Sequence, residues 1–286
     1  MTNTNFGNIV LNEDSLICYS SKSLPFESHI EDVKNYKENI KESLSRLAVG
    51  KDQILVAEYY APNDEFSDIE NKLFYNVSMS SFEKLLCNGV LFRRLSLEEY
   101  KAIVSTITDK YNDIENNYVN IYRIMSKEDA KTIFKKYCST VLAETSNVIG
   151  LKFDEENAQD YYEIVRNNKE NIIVNQQLTH EYKFSMYIKI GTYSQKKKFH
   201  NIIKPMVDGL ICGCHEEDDV DTIKTLLKDK TNIDLIQMNK YPLWKKNYIR
   251  EQVNKWNPAD DYLECAFIET NNIVIKFGIA FEVYSC

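Results

Sequence analysis

The chain has 286 residues, 43% of them apolar, and a formal net charge of −8. That length suits about two domains, or one large α/β domain, with enough apolar residues for a proper core. The acidic balance argues against broad, charge-driven nucleic-acid binding but leaves room for a local basic groove. No apolar run approaches the ~18 residues that cross a bilayer. The polar start, MTNTNFGNIVLNEDS, has neither the basic nor the apolar region of a secretory signal. The expectation is a soluble, cytoplasmic protein with no membrane partner. Glycine and proline are few, at 8 and 5, and Asn, Lys, Ile and Tyr are abundant, which points to an AT-rich bacterial genome or its phage.

In chain order, LICY within residues 14–21 reads as a first strand. Ser28 and Glu31 have capping-box spacing, and Ile30, Val33, Ile40, Leu44 and Leu47 follow at near-helical spacing up to Gly50. QILVAEYYA, residues 53–61, predicts an apolar and aromatic strand, broken by Pro62, Asn63 and Asp64. After an acidic loop come a helix from about Ile69 and a second short helix capped by a serine of SMSSF. Asn88-Gly89 marks a turn, and VLFRRL, residues 90–95, the next strand. LEEYKAIVSTITDKYNDIE and MSKEDAKTIFKKYCSTVLAE read as amphipathic helices, with Asn116, Asn117 and Asn120 at the break between them.

From Val148, VIGLKF reads as a strand and DEENAQDYYEIVRNN as a helix with an acidic first turn, favoured by the helix dipole. KFSMYIKI alternates, with Phe184, Met186, Ile188 and Ile190 on one side. A basic loop and a helix from about Asn201 follow. Further helices are expected from Asp218 and in PLWKKNYIREQVNKW, then a turn at Asn257-Pro258. LECAFIE and IVIKFGIAFEVYS complete the chain as an expected hairpin. The fold class is therefore α/β (α+β): two similar halves, each a mixed sheet covered by helices. The halves are residues 1–96 and 147–286, with 97–146 as a helical connector. Asn71 and Asn201 fall at matching places, which points to a duplication.

Two polar runs carry chemistry. Asp68 and Glu70, at alternate positions just after a strand, can hold a divalent cation through hard oxygen ligands. They equally suit a helix N-terminus, where acids are favoured. In the second half Asn201 heads a helix, Lys204 can meet a phosphate or leaving oxygen, and Asp208 lies at i+4 from it on the same face. Lys204 before Pro205 also suits a solvated first turn. Lys196, Lys197, Lys198, Arg93 and Arg94, with Lys245-Lys246, are candidate nucleic-acid contacts or solvated edges, and Asn201 is a further candidate contact.

The 7 cysteines are odd in number and scattered, fitting reduced thiols rather than a disulfide framework. Cys212, Cys214 and His215 read either as a zinc half-site or as small residues on the buried side of a helix end. The C-x-C-H spacing and the lack of a nearby second ligand pair speak against zinc. One tyrosine of each pair, Tyr59-Tyr60 and Tyr161-Tyr162, is expected inside, leaving the other free to stack on bases. There is no Gly-rich phosphate loop, G-x-S-x-G elbow or H-E-x-x-H.

NIIKPMVDGL followed by HEEDDVD resembles the helix and acidic tail of the RusA-like Holliday-junction resolvases, over about thirty residues. That family has a D-x-D-N run after a strand, a lysine and an aspartate in the next helix, and an acidic pair beyond. In the first half DIEN, with Asp68, Glu70 and Asn71, is similar to the acidic entry. Lys198 and His200 replace the entry acids in the second half; Phe74 and Ser78 replace the lysine and later aspartate in the first. The resemblance implies a pseudo-dimer with one composite site or none. If there is a site, it implies Mg2+- (or Mn2+-) assisted phosphodiester hydrolysis on DNA or RNA. Asp68, Glu70, Asp208, Asp218 and Asp219 are then the metal-side acids and Lys204 the phosphate contact. The split signature also fits a catalytically inactive interaction protein whose partners are other proteins of a bacterial phage-defence system. DIENKLFYN, KPMVDGL and WNPADD together are similar to a group of uncharacterised bacterial proteins, which carries over no activity.

Overall fold

The computed structural model describes residues 2–3, 6–62, 69–107, 116–137, 140–150, 157–176, 184–191, 201–214, 265–270 and 278–285. Two compact units are present: residues 1–137 with 261–269, and residues 138–260 with 270–286. The class is α+β, as the order of elements predicts.

The first unit is built on a six-stranded sheet. Its strands are β1 (Thr2–Asn3), β2 (Gly7–Leu11), β3 (Ser15–Ser20), β4 (Gln53–Tyr60), β5 (Val90–Arg94) and β6 (Tyr118–Ser126), ordered β1-β2-β3-β6-β4-β5. β2 and β3 form a hairpin, Leu11 opposite Leu16. β6 runs antiparallel between β3 and β4, placing Ile17 opposite Ile121 and Ala57 opposite Tyr122. β5 is parallel to β4, with Glu58 beside Arg93. The sheet is therefore mixed.

Both faces are buried, which explains the near-continuous apolar runs of β3 and β4. One face packs Val10, Ile17, Tyr19, Tyr60, Val119 and Ile121 against Leu95 and against Tyr100 and Val104 of α2 (Leu97–Ile107). The Tyr60 and Tyr100 rings stack with centroids 4.5 Å apart. The other face takes α1 (Glu31–Leu44), whose buried Val33, Tyr36, Ile40 and Leu44 recur at helical spacing. Tyr36 donates its hydroxyl to Tyr19 O at 2.7 Å. A Cβ on Gly7 would come within 2.1 Å of that same carbonyl, so only glycine fits there. Phe74 also packs on this side, stacked on Phe82 at 4.3 Å and edge-on to Phe92 at 5.5 Å.

Several local expectations change. Ser28 does not cap α1: its Oγ accepts from Ile30 N at 3.1 Å, a local turn, and Ile30 is the N-cap. The helix stops at Leu44, well before Gly50. The polar N-terminal stretch supplies β1 and β2. The expected helical connector, 97–146, contains β6 in mid-sheet, together with α2, α3 (Lys127–Tyr137), β7 (Thr140–Thr145) and no continuous helical layer. Asn120, read as a break between helices, is the third residue of β6.

The second unit's sheet runs β10-β12-β7-β9, with β8 beside β12. The strands are β7, β8 (Ile149–Gly150), β9 (Ile172–Val174), β10 (Phe184–Gly191) and β12 (Gly278–Ser285); a further strand, β11 (Cys265–Thr270), precedes β12. β10 alternates as predicted, Met186 and Ile188 pointing inward. β12 is antiparallel to β10 on one edge and to β7 and β8 on the other. With both edges taken, it does not form the expected hairpin with LECAFIE. α4 (Ala158–Asn167) starts at a reciprocal cap: Asp160 N donates to Asn157 Oδ1 at 3.3 Å and Asn157 N to Asp160 Oδ2 at 3.0 Å. α4 packs on α5 (Ile203–Cys214). The helices expected from Asp218 and around Trp244 lie outside the described residues.

Candidate functional site

Glu70 is helical, stands immediately before a π-helical turn, and is buried. Asn71 then opens a single π-helical turn, Asn71–Tyr75, closed by Asn76 N donating to Asn71 O at 2.9 Å. So wide a turn leaves carbonyls that need outside donors. Asn120 and Tyr122 of β6 provide them: Asn120 Nδ2 donates to Lys72 O at 3.0 Å and the Tyr122 hydroxyl to Leu73 O at 2.6 Å. Burial first, then the neighbouring Cys18, pushes the Tyr122 pKa well above the ordinary phenol value, against the hydrogen bond from Asn120. The hydroxyl therefore stays a donor. Asp68, Glu70's proposed partner, lies outside the described residues.

The second element is α5. Asn201 is exposed just ahead of it, and Met206 N donates to Ile202 O at 2.9 Å. Pro205 is accommodated because first-turn N–H groups have no partner inside a helix. Lys204 and Asp208 share one face, Nζ to Oδ2 3.4 Å, with the lysine half-buried and the carboxylate buried. Burial of this segment follows from close helix packing. Gly209 and Gly213 lie against Ala158, Tyr161 and Val165 of α4. Cys212 and Cys214 are buried on α5, and burial pushes the Cys214 thiol up to about 12, against an opposing pull from Arg166. His215 lies outside the described residues. The small-residue reading of this pair is the one that the packing fits.

The third feature is a buried charge cluster that sequence reasoning missed. Glu58, in mid-β4, is fully buried. It accepts from Arg93 Nε at 2.7 Å, from Arg123 Nε at 2.8 Å and from Arg123 Nη2 at 2.8 Å. Glu99 on α2 lies 3.3 Å from Arg93 Nη1. The signal was present: a glutamate inside QILVAEYY needs buried cationic partners, because an unpaired buried charge is too costly. Arg94 is also buried, its guanidinium 5.5 Å from the centre of the Tyr59 ring. The Arg93-Arg94 pair is thus placed inside the first unit and not on a basic surface: register with β4 turns both side chains toward Glu58 and Tyr59. Lys196, Lys197 and Lys198 lie outside the described residues, as do Asp218 and Asp219.

Glu70 belongs to the first unit, and Lys204 and Asp208 to the second. β4 lies between antiparallel β6 and parallel β5, and β10 pairs antiparallel with β12. Among the described residues, no three His, Cys, Asp or Glu side chains converge on a point that could hold a metal ion. Nor is any helix among them long and apolar enough to cross a membrane. Compared with family models, curated proteins and solved structures, the chain matches none.

Proposed function

We propose that this protein binds and processes nucleic acid in the manner of RusA-like resolvases, acting on DNA or RNA in the bacterial cytoplasm. The observation that carries this reading is the Lys204–Asp208 pair, a cation and a carboxylate one turn apart on one face of α5. Lys204 would ground a phosphate oxygen, and Asp208 would hold the lysine in place or turn to a cation. Within each unit the acids are of a kind that suits a hard ion: Asp68 and Glu70 in the first, Asp208 with Asp218 and Asp219 in the second. Mg2+ or Mn2+, when bound, would activate water and stabilise the leaving oxygen.

A second reading is a catalytically inactive interaction protein within a bacterial defence assembly. It is favoured by the satisfaction of these charges within the chain: Lys204 with Asp208, and Arg93 with Glu58 and Glu99. Incubation of branched and linear DNA with Mg2+ or Mn2+ separates the two. Under the first reading the wild type cleaves, and Asp208→Asn and Lys204→Met each lower the rate by roughly 100-fold or more. Binding then weakens steeply with salt. Absence of both cleavage and low-salt binding leaves the second reading.

A further inference from the structure

In the first unit a cleft of about 460 Å³ opens between the Ser23–Phe26 segment and the π-helical turn, lined by Ser23, Leu24, Pro25, Phe26, Asn71, Lys72 and Asn76. Its size falls within the roughly 300–1,000 Å³ of small-molecule sites. Its walls are fixed from behind. Asn76 Nδ2 donates to Leu24 O at 2.6 Å, Lys37 Nζ to Phe26 O at 2.7 Å, and Asn120 Nδ2 to Lys72 O at 3.0 Å. Inside it, Lys72 Nζ donates to Ser23 Oγ at 2.7 Å, which turns the serine's own hydrogen toward another acceptor. Phe26 is 64% exposed, so its ring is open to a ligand in the cleft.

An ammonium beside a hydroxyl is the chemistry that grips a phosphate. An exposed ring in the same cleft provides a stacking platform for a base. We propose that this cleft is a nucleoside-monophosphate site: Lys72 and Ser23 hold the phosphate, and Phe26 stacks the base. The nucleotide comes free in solution or as the terminal unit of a strand. The second source rests on the nucleic-acid reading above; the site itself does not.

Calorimetric titration of the full chain with AMP, adenosine and inorganic phosphate tests it. AMP is expected to bind more tightly than adenosine or phosphate alone. Lys72→Met should weaken AMP at least about tenfold (~1.4 kcal/mol) and leave adenosine unchanged. Phe26→Ala should weaken AMP and adenosine alike and leave phosphate unchanged; the ring is exposed, so the fold tolerates its loss. Should Lys72→Met fail to fold, Ser23→Ala with Phe26→Ala carries the test. A 5′-phosphorylated dinucleotide that outcompetes AMP assigns the site to strand ends; equal or weaker binding assigns it to the free nucleotide. No heat from AMP at about ten millimolar, or AMP affinity unchanged in the variants, overturns the proposal. Asp208→Asn should leave AMP binding intact. A wild-type protein that binds AMP but cleaves no DNA fails the nuclease reading alone, and one that cleaves but binds no AMP fails this site alone.

Discussion

Glu58 holds two guanidinium groups on one carboxylate, out of contact with water. Such a cluster specifies strand register, because Arg93 and Arg123 meet Glu58 only when β5 and β6 flank β4 in the observed alignment. Removing the anion takes the main carboxylate partner from buried Arg93, which keeps the longer contact to Glu99, and from partly exposed Arg123. Glu58→Ala is expected to destabilise the protein by about 3–5 kcal/mol, read from urea unfolding. Glu58→Gln, which keeps the shape and two acceptor lone pairs, should cost less. A glutamine variant as stable as the wild type would mean that the charge contributes nothing. Tyr122 and Asn120 work on the same scale from the opposite face. They satisfy the carbonyls of the π-helical turn and so set the position of Glu70, Asn71 and Lys72.

Between elements, the α4–α5 contact turns on two glycines. A Cβ on Gly209 would sit 2.2 Å from Ala158 O, a backbone atom that cannot move aside without shifting the helix. On Gly213 the Cβ would meet Val165 Cβ at 2.6 Å and its methyl carbons at 2.9 and 3.0 Å, so α4 must give way there too, but through a side chain. Alanine gains about 1 kcal/mol in helix propensity, while forced overpacking costs about 1–3. Gly209→Ala should therefore be the more destabilising of the two, despite its better intrinsic propensity. Melting of both variants decides it; a stabilised Gly209→Ala would show that the helices are not in this contact. Lys204 and Asp208 ride on α5, so a displaced helix should also reduce any nucleic-acid binding.

Across the whole molecule, buried neutral acids link stability to pH. Burial raises Cys18 and Tyr122 in the first unit, and raises Cys214 and Tyr187 to about 12 in the second. For Tyr187 the neighbouring Glu282 adds to the shift. The folded chain keeps protons that the unfolded chain releases from pH ~8.5 upward for thiols and ~10 for phenols. The unfolded state then binds fewer protons, so stability is fully present below pH 8 and is lost as pH rises through 9 toward 12. Urea unfolding at pH 7, 8, 9 and 10 should show a plateau and then a decline, and Cys18→Ala should flatten that decline. At pH 8 iodoacetamide should modify exposed Cys87 before Cys18, Cys212 or Cys214, which react only on unfolding. Rapid labelling of Cys18 in the folded protein would contradict the burial argument.

Taken by itself, the sequence determined what local patterning controls. The strands at Ser15–Ser20, Gln53–Tyr60, Val90–Arg94 and Phe184–Gly191 and the helices at Glu31–Leu44, Ala158–Asn167 and Ile203–Cys214 were legible, because apolar period and turn residues act within a few positions. The i+4 geometry of Lys204 and Asp208 was legible for the same reason. Only the tertiary structure decided what depends on distant partners. Asn120 looked like a breaker because its acceptor, Lys72 O, is 48 residues away. Arg93 looked like a surface cation because Glu58 is 35 residues away. The cleft at Lys72 exists only because Ser23 and Asn76 meet its rim from separate parts of the chain. Buried polar groups must find partners wherever the fold brings them, and that choice is made by packing across the sheet, which no local window contains.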